Sequence, residues 1–196
     1  MAWYRSETEL IPYTVQYGAA IPVPNEKEMA NGKPGYRVEG WYEDQALTKP
    51  FTYKTMPAQN LTAYPKWVAD EISYYVSYNF LDGTTQVNSY TETYTGLADS
   101  VVQPPEVKSF EGYTFDESSR LTSFKIEPGN PYIGYYYQIN THTLTYQYET
   151  NDATGPNIIT AQKKYGEDIT IPDPARDGYA FAGSYTDTGF GNRHMG

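Results

Sequence analysis

Short runs in which apolar and polar residues alternate recur along the chain, and turn residues separate them. The clearest pair covers residues 71–81 and 86–94, with Asp82-Gly83 between them. Alternation with a period of two predicts half-buried strands, and an Asp-Gly pair between two such runs is a strong signal for a β-hairpin. Residues 1–24 show the same layout, with a polar SETE turn between two apolar stretches. The pattern therefore predicts a β-rich protein that begins a new hairpin at intervals.

One short helix is predicted before residue 35. Asn25 can cap its first turn, Glu28 stands at the capping-box position, and Gly32 can end it. No long run with helical periodicity separates the strands, so a βαβ arrangement is not favoured. Strands on both sides of one small helix instead favour an α+β module in which a sheet packs on that helix.

The segment from Pro34 to Trp67 supplies a pattern that returns later in the chain. It combines a Gly35-Tyr36 turn, a Gly-Trp-Tyr strand and a closing apolar strand. The Gly-Tyr signal recurs at Gly112-Tyr113 and at Gly178-Tyr179. Recurrence of one pattern indicates repeated modules. The predicted core of the first module comprises Tyr36, Trp41, Phe51, Leu61 and Trp67.

The recurrence divides the chain into three predicted modules. The first covers residues 1–68, the second covers 69–141, and the third covers 142–196. The third has no counterpart of the phenylalanine strand and the closing tryptophan strand, so we expect it to be C-terminally truncated. Both linkers, near residues 68–72 and 140–142, are short and not rich in Gly or Ser, which predicts a fairly stiff, elongated array.

Composition changes this picture mainly through tyrosine. The 196 residues include 22 tyrosines, and aromatic residues make up 16% of the chain. Tyrosine favours strands and packs its ring on a thin sheet while the hydroxyl stays near water, so shallow aromatic cores are expected. The absence of cysteine excludes disulfides and thiolate metal sites. The net charge of −10 argues against nucleic-acid binding, which needs clustered Lys and Arg.

The motifs YGAAIPVP, PGYRVEGWYED and KPFTYKTMPAQNLTAYPKW together resemble the internalin B-type repeat, also called the Listeria-Bacteroides repeat. The similarity is close over residues 10–67 and partial over 142–187. Residues 72–148 resemble more loosely the mucin-binding-protein (MucBP) repeat, which shares the order of strand, Asp-Gly turn, strand and Gly-Tyr turn. Both resemblances imply small ubiquitin-like β-grasp modules in tandem. The expected fold class is therefore mostly β or α+β, with such modules in an elongated array.

The same resemblance implies a function without catalysis. It indicates a stalk or adhesion segment of a bacterial cell-surface protein that lies outside the cell, at the surface or in the cell wall. No window approaches the ~20 apolar residues of a membrane span, and no signal-like segment opens the chain. We expect any export signal and anchor to lie outside this segment. Expected partners are neighbouring modules and a host or cell-surface protein or glycan, not nucleic acid or the membrane interior.

Candidate catalytic and metal-binding residues are sparse. His142 and His194 lie far apart in the sequence, with no nucleophile motif near them. The acidic pairs Glu43-Asp44 and Asp116-Glu117 fall between strands, where solvated turn residues are a better interpretation than a catalytic acid and base. The Asp and Asn clusters in the third module, one of them at Asn151-Asp152, lack the spacing of a calcium loop. We therefore expect no catalytic residue, no cofactor and no metal site.

Two groups of tyrosines are the candidate ligand-binding residues. Exposed aromatic rings can stack on sugar faces or anchor a peptide, and so give the alternative function of a glycan- or peptide-binding module. Neighbouring side chains on a strand point to opposite faces, so the competing interpretation is that these rings pack within a thin sheet. An unpaired edge strand of the truncated third module would offer another route, by pairing with a partner's strand. The candidates are Tyr74, Tyr75, Tyr78, Tyr135, Tyr136 and Tyr137.

Overall fold

The structure is a computed structural model that describes residues 1–6, 8–29, 32–129, 131–147, 158–171, 173–186 and 191–193. In that part of the chain the fold is mostly β, as the alternating pattern predicts, with one short helix, α1 (Glu26–Met29), and a 3-10 turn at Glu117–Ser119. The strands are β1 (Ala2–Tyr4), β2 (Leu10–Pro12), β3 (Tyr36–Tyr42), β4 (Thr62–Ala69), β5 (Glu71–Asp82), β6 (Thr85–Leu97), β7 (Val101–Val102), β8 (Tyr113–Phe115), β9 (Phe124–Lys125), β10 (Tyr132–Ile139), β11 (Thr141–Gln147) and β12 (Ile158–Lys164).

The first module forms a mixed sheet in the order β2-β1-β4-β3. Its first strand pairs in parallel with its last, so that Trp3 lies opposite Ala63. The β1-β2 and β3-β4 pairs are antiparallel, and an irregularity interrupts β3 between Val38 and Gly40. The opening and closing strands of the module are therefore neighbours, although most of its sequence separates them.

A second sheet repeats this arrangement in the order β6-β5-β10-β8. In both sheets the hairpin lies on one side, and the closing strand lies next to the first strand of that hairpin. The strand at the other side begins at the tyrosine of a Gly-Tyr turn, Tyr36 in β3 and Tyr113 in β8. The strands β7 and β9 form one antiparallel pair, and β11 and β12 form another, which runs from Thr141 opposite Lys164 to Gln147 opposite Ile158.

The predicted capping box and short helix are confirmed. The Asn25 N–H donates to the Glu28 carboxylate at 2.8 Å, and the Glu28 N–H donates to Asn25 Oδ1 at 3.1 Å. The Gly32 N–H closes the far end by donating to the Met29 carbonyl at 2.9 Å. The Tyr13 hydroxyl donates to Glu28 at 2.7 Å, and this hydrogen bond is the main reason that the pKa of Glu28 is lowered. The capped turn is thus fastened to the segment that follows β2.

Contact density divides the chain into two compact units. One comprises Met1–Ser77, Tyr90–Glu106 and Arg120–Gly134, and the other comprises Tyr78–Ser89, Val107–Ser119 and Tyr135–Gly196. The three modules and their boundaries, as drawn from the sequence repeat, remain a prediction. The term module is used below in that sense.

The core of the first unit centres on Trp3, whose side chain is fully buried. Its ring centroid lies 4.5 Å from that of Trp41 and 5.1 Å from that of Phe51. The cluster also buries Ile21, Met56, Leu61 and Ala63. Three of the five predicted core residues therefore contribute to it, whereas Tyr36 and Trp67 are only half-buried. The sequence prediction overlooked Trp3 because β1 is too short to show a clear alternation.

Aromatic rings hold the second unit together. The rings that pack on one another belong to Tyr78, Phe80, Phe110, Tyr135 and Tyr137, with centroids 4.9 to 5.9 Å apart. The Tyr137 hydroxyl donates to the Lys108 carbonyl at 3.0 Å, so the buried ring keeps a partner for its polar end. The expectation of a core built largely from aromatic side chains is confirmed in this unit.

Candidate binding surface: the joints between modules

Burial divides the six candidate ligand-binding tyrosines. Four of them are buried, namely Tyr74, Tyr78, Tyr135 and Tyr137. Tyr75 is half-buried and Tyr136 is 38% exposed. The alternation along β10, in which exposed Tyr136 lies between two buried rings, follows from the two faces of a strand. Among these six residues, only Tyr75 and Tyr136 keep an appreciable part of their surface exposed in this conformation.

In each acidic pair, the aspartate accepts hydrogen bonds from the residues of its own turn. Asp44 accepts from the Thr48 N–H and the Lys49 N–H, each at 2.9 Å, and the Thr48 backbone bond is the main cause of its lowered pKa. Asp116 accepts from the Ser118 N–H at 2.9 Å, and hydrogen bonding by Ser118 lowers its pKa as well. A general acid at neutral pH needs a raised pKa. The geometry therefore fits turn stabilisation.

His142 lies on β11 opposite Lys163 and is exposed. The second histidine, His194, and the Asn151-Asp152 pair lie outside the described residues. Within the described ranges, no group of three or more acidic or histidine side chains is placed to hold a metal ion. The described helix is too short and polar to span a bilayer, and no longer one occurs in that part of the chain.

The chain builds the Gly-Tyr turn three times with one geometry. The φ angles of Gly35, Gly112 and Gly178 are 76°, 77° and 77°. In each turn the tyrosine N–H donates to the carbonyl three residues before it, at 3.1, 3.2 and 3.2 Å respectively. A side chain is strained at this φ, so the turn requires glycine. The recurrence seen in the sequence is therefore also a recurrence of backbone structure.

A single residue, Asp70, links β4 to β5 and bonds to the backbone on both sides of it, in the predicted first and second modules. Its N–H donates to the Gly35 carbonyl at 2.8 Å, and its carbonyl accepts from the Ala98 N–H at 2.9 Å. The Arg37 guanidinium donates to the Asp70 carboxylate. A Cβ atom on Gly35 would lie 2.7 Å from the Pro128 ring and 2.8 Å from the Ala98 methyl group. We call this set of contacts the first joint.

Asn140 occupies the equivalent place between β10 and β11. Its N–H donates to the Gly112 carbonyl at 2.8 Å, and its carbonyl accepts from the Tyr165 N–H at 2.9 Å. The Thr114 hydroxyl donates to Asn140 Oδ1 at 2.6 Å. A Cβ atom on Gly112 would overlap the ring of Tyr165. This set of contacts, the second joint, repeats the backbone hydrogen bonds of the first joint.

The residues that cover the two glycines stand at similar corners of the backbone. Ala98 precedes Asp99, with a φ of 61°, and Tyr165 precedes Gly166, with a φ of 75°. A third corner is formed by Tyr17-Gly18, where the φ of the glycine is 77°. At each corner, the next N–H donates to the carbonyl three residues before it, at 3.0 to 3.1 Å. We call these three residue pairs the corners.

Charged side chains lie beside the first joint, around Asp99. Asp99 pairs with the Lys125 ammonium at 2.8 Å and accepts from the Tyr36 hydroxyl at 3.0 Å. Hydrogen bonding by Lys125, and after it by Tyr36, lowers the pKa of the Asp99 carboxyl. The same contacts with Asp99 raise the pKa of Tyr36 and of Lys125.

Sequence reasoning found the Gly-Tyr turns but did not identify the residues that meet them. A usable signal was present for Asp70 and Asn140, because each stands alone between two strand patterns. A one-residue linker has an N–H and a carbonyl that must find partners outside the strands. Ala98 and Tyr165 carry no comparable signal, since they share neither size nor polarity.

Two relatives of the chain come from Evansella cellulosilytica. One is named as a Gly-rich membrane protein and the other as a membrane protein. Each is 28% identical to the chain, over 178 and 170 residues, which are 88% and 85% of it. The chain spans only 19% and 24% of the lengths of these relatives. They are therefore much longer proteins in which this sequence corresponds to a part.

The family model of the Listeria-Bacteroides repeat domain matches residues 4–66 and 142–194. The two matched segments include the first and third Gly-Tyr turns, at Gly35-Tyr36 and Gly178-Tyr179. The unmatched segment between them carries the second sheet, whose strand order equals that of the first. Because the matches cover more than half of the sequence, the chain belongs to the Listeria-Bacteroides repeat family.

Proposed function

We propose that the chain is a non-catalytic stalk or adhesion segment of a bacterial cell-surface protein, located outside the cell at the surface or in the cell wall. The observation that carries this proposal is the repetition of one joint, at Asp70 and again at Asn140. A one-residue linker whose N–H and carbonyl are both bonded has little freedom to bend. Such a linker suits a segment that must hold a spacing between two ends.

The comparisons support the same class of function. Membership of a repeat family favours a modular, non-enzymatic segment. The two longer relatives are named as membrane proteins, which fits a segment held away from a membrane by other parts of such a protein. The net charge of −10 favours solubility in such a position.

We assign the modules to the β-grasp type as part of this proposal. Support comes from the mixed sheet of the first module, with a parallel pair formed by its opening and closing strands and α1 between its hairpin and its third strand. The second sheet has the same strand order. The first and third modules are proposed as internalin B-type repeats, and the second as a MucBP-like repeat.

Small-angle X-ray scattering of the full chain tests the stalk proposal. A compact chain of this length has a radius of gyration of about 16 Å. The proposal expects a clearly larger value, together with a long tail in the distance distribution. As a matched comparison, a variant with Gly and Ser residues inserted after Asp70 should show a broader distribution, because its linker is no longer held. A radius near the compact value would refute the stalk.

A glycan- or peptide-binding role is the second candidate, with a host or cell-surface protein or glycan as the partner. The observation that favours it is the exposure of Tyr136 between two buried rings. A glycan array with the wild type, Tyr136→Ala and Tyr75→Ala tests it. Tyr132→Ala is the matched control, because Tyr132 lies on the same strand and is also exposed. A blank array for the wild type removes this candidate.

A further inference from the structure

Two of the three Gly-Tyr turns are covered, and no described residue covers the third. The first and second joints place Ala98 and Tyr165 against Gly35 and Gly112. A Cβ atom on Gly178 would meet no described atom within 4 Å. Tyr179, the next residue, is 67% exposed. The third turn thus has the structure of a joint surface without the corner that covers the other two.

The open turn is already in the conformation of the covered ones. Its φ of 77° equals that of Gly112. The Arg176 guanidinium lies over the Tyr179 ring at 3.7 Å, as the Lys33 ammonium lies over the Tyr36 ring at 3.8 Å in the first turn. A surface that needs no rearrangement avoids part of the entropy cost of binding.

Two of the three corners contact a Gly-Tyr turn, and the third is exposed. Ala98-Asp99 and Tyr165-Gly166 are engaged at the two joints, whereas Tyr17 of the third corner is 80% exposed. Tyr17-Gly18 has the same residue types as Tyr165-Gly166, and the φ angles of the two glycines, 77° and 75°, agree. Among the described residues, the chain therefore carries one turn and one corner of matching geometry that no other residue covers.

We propose that the Gly178-Tyr179 turn is a docking site for the Tyr17-Gly18 corner of a second copy of this chain, so that copies associate head to tail. The inference rests on the proposed function as an array of modules, and it extends the two joints within the chain to a third between chains. The two surfaces differ, so a pair of bound copies keeps one free corner, on one copy, and one free turn, on the other. Such heterologous contacts build open chains or rings of copies, in contrast to the two-fold dimers that self-complementary contacts build.

The association should be weak and should strengthen with salt. Within the chain, Asp70 and Asn140 hold each corner beside its turn, and a short tether of this kind acts as an effective concentration of about a millimolar or more. Separate copies lack that tether, and their net charges of −10 repel one another. Added salt screens the repulsion.

Sedimentation equilibrium of the full chain at low and high salt tests the proposal. The protein concentration should reach about 1 mM, the effective concentration that the tether provides within the chain. We expect the average mass to rise with concentration, and more steeply at high salt. Tyr17→Glu places a charge on the corner. Gly178→Ala adds a methyl group to the turn; at the equivalent Gly112 such a group would overlap the ring of the covering tyrosine, Tyr165. Each variant alone should remain monomeric, whereas an equal mixture of the two should form a dimer and nothing larger.

The matched controls are Tyr132→Glu and Gly129→Ala. Tyr132 is 67% exposed, and Gly129 has a positive φ of 114° with no described atom within 4 Å of an added Cβ. Both variants should associate like the wild type. A wild type that stays monomeric at high salt, or controls that weaken association as strongly as the two test variants, would overturn the inference. A monomer that still scatters as an elongated particle would leave the proposed function standing.

Discussion

The first and second joints share their backbone and differ in most of their side chains. In both, the linker residue donates to a glycine carbonyl at 2.8 Å and accepts one N–H at 2.9 Å. The first joint adds an ion pair between Arg37 and Asp70, whereas the second uses the neutral pair Thr114 and Asn140. A glycine at positive φ and a one-residue linker thus define the joint, and side-chain chemistry varies around them.

The expected free energies of the backbone hydrogen bonds and of the ion pair agree with that interpretation. A backbone hydrogen bond contributes about 1 kcal/mol net, so the two bonds at each linker outweigh one exposed ion pair of about 0 to 1 kcal/mol. Arg37 and Asp70 keep 63% and 38% of their side-chain surface exposed, which places their ion pair in the weak class. The comparison therefore predicts large effects from backbone changes and small ones from charge changes.

The largest effect is expected from removing a core ring of the first module, the one that contains Gly35 and Arg37 of the first joint. Trp41→Ala deletes the ring that packs on Trp3 at 4.5 Å, and truncation of a large aromatic costs about 3 kcal/mol, at the lower end because Trp41 is only half-buried. Hydrogen exchange should show faster opening of the Asp70 amide and unchanged protection of the Asn140 amide. Trp41→Phe should cost about 1 kcal/mol. Equal loss of protection at both amides would show that the two joints open together.

The next effect comes from the glycines. Gly35→Ala should destabilise by about 2 to 3 kcal/mol, because the Pro128 ring and the Ala98 methyl group cannot rotate away. Gly112→Ala should cost less, since Tyr165 is 42% exposed and its ring can turn into water. Gly178→Ala, with open space around it, should show only the backbone strain of about 1 kcal/mol. Urea unfolding checks this order, and an equal cost for all three would contradict the role of the covering residues.

An exchange of the two linker side chains tests the role of charge. Asp70→Asn keeps an acceptor and removes the ion pair with Arg37, so it should cost at most about 1 kcal/mol and only at low salt. Asn140→Asp, the reciprocal change, leaves an acceptor for the Thr114 hydroxyl and should be nearly neutral at any salt. Denaturation at low and high salt separates the two. A large, salt-independent cost of Asp70→Asn would mean that the side chain and not the backbone holds the joint.

The smallest effect is a dependence on pH. The pKa of Asp99 is lowered by Lys125 and Tyr36, so its stabilising contribution is complete above the unfolded pKa of about 3.9 and is lost as the pH falls through the lower folded value. Acidification should therefore weaken protection of the Asp70 amide more than that of the Asn140 amide. Asp99→Asn should reduce this difference. The check is the ratio of the two exchange rates at mildly and strongly acidic pH.

Much of the fold was readable from the sequence because its signals are local. The Asp82-Gly83 hairpin, the capping box of Asn25 with Glu28 and the Gly-Tyr turns each depend on residues within a few positions of one another. Trp3 was not recognised, because its burial depends on Trp41 and on the parallel pairing of β1 with β4, which no local pattern records.

The candidate tyrosines illustrate the same limit. Alternation predicted that neighbouring rings would face opposite sides, and Tyr135 and Tyr136 do so. Which side of the strand is covered depends on Phe110 and Phe115, which come from other parts of the chain. The joints were missed for a similar reason, since Ala98 and Tyr165 fill one role with side chains of very different size.

The parallel pairing of β1 with β4 has a mechanical consequence. In the predicted first module β1 is the opening strand and β4 the closing one, and the two strands run side by side in the same direction. Tension along the polypeptide therefore pulls them in opposite directions along their length. Their hydrogen bonds are then loaded together in shear, and none can be peeled open ahead of the others. Single-molecule stretching should find the module resistant to force well beyond what its modest core suggests.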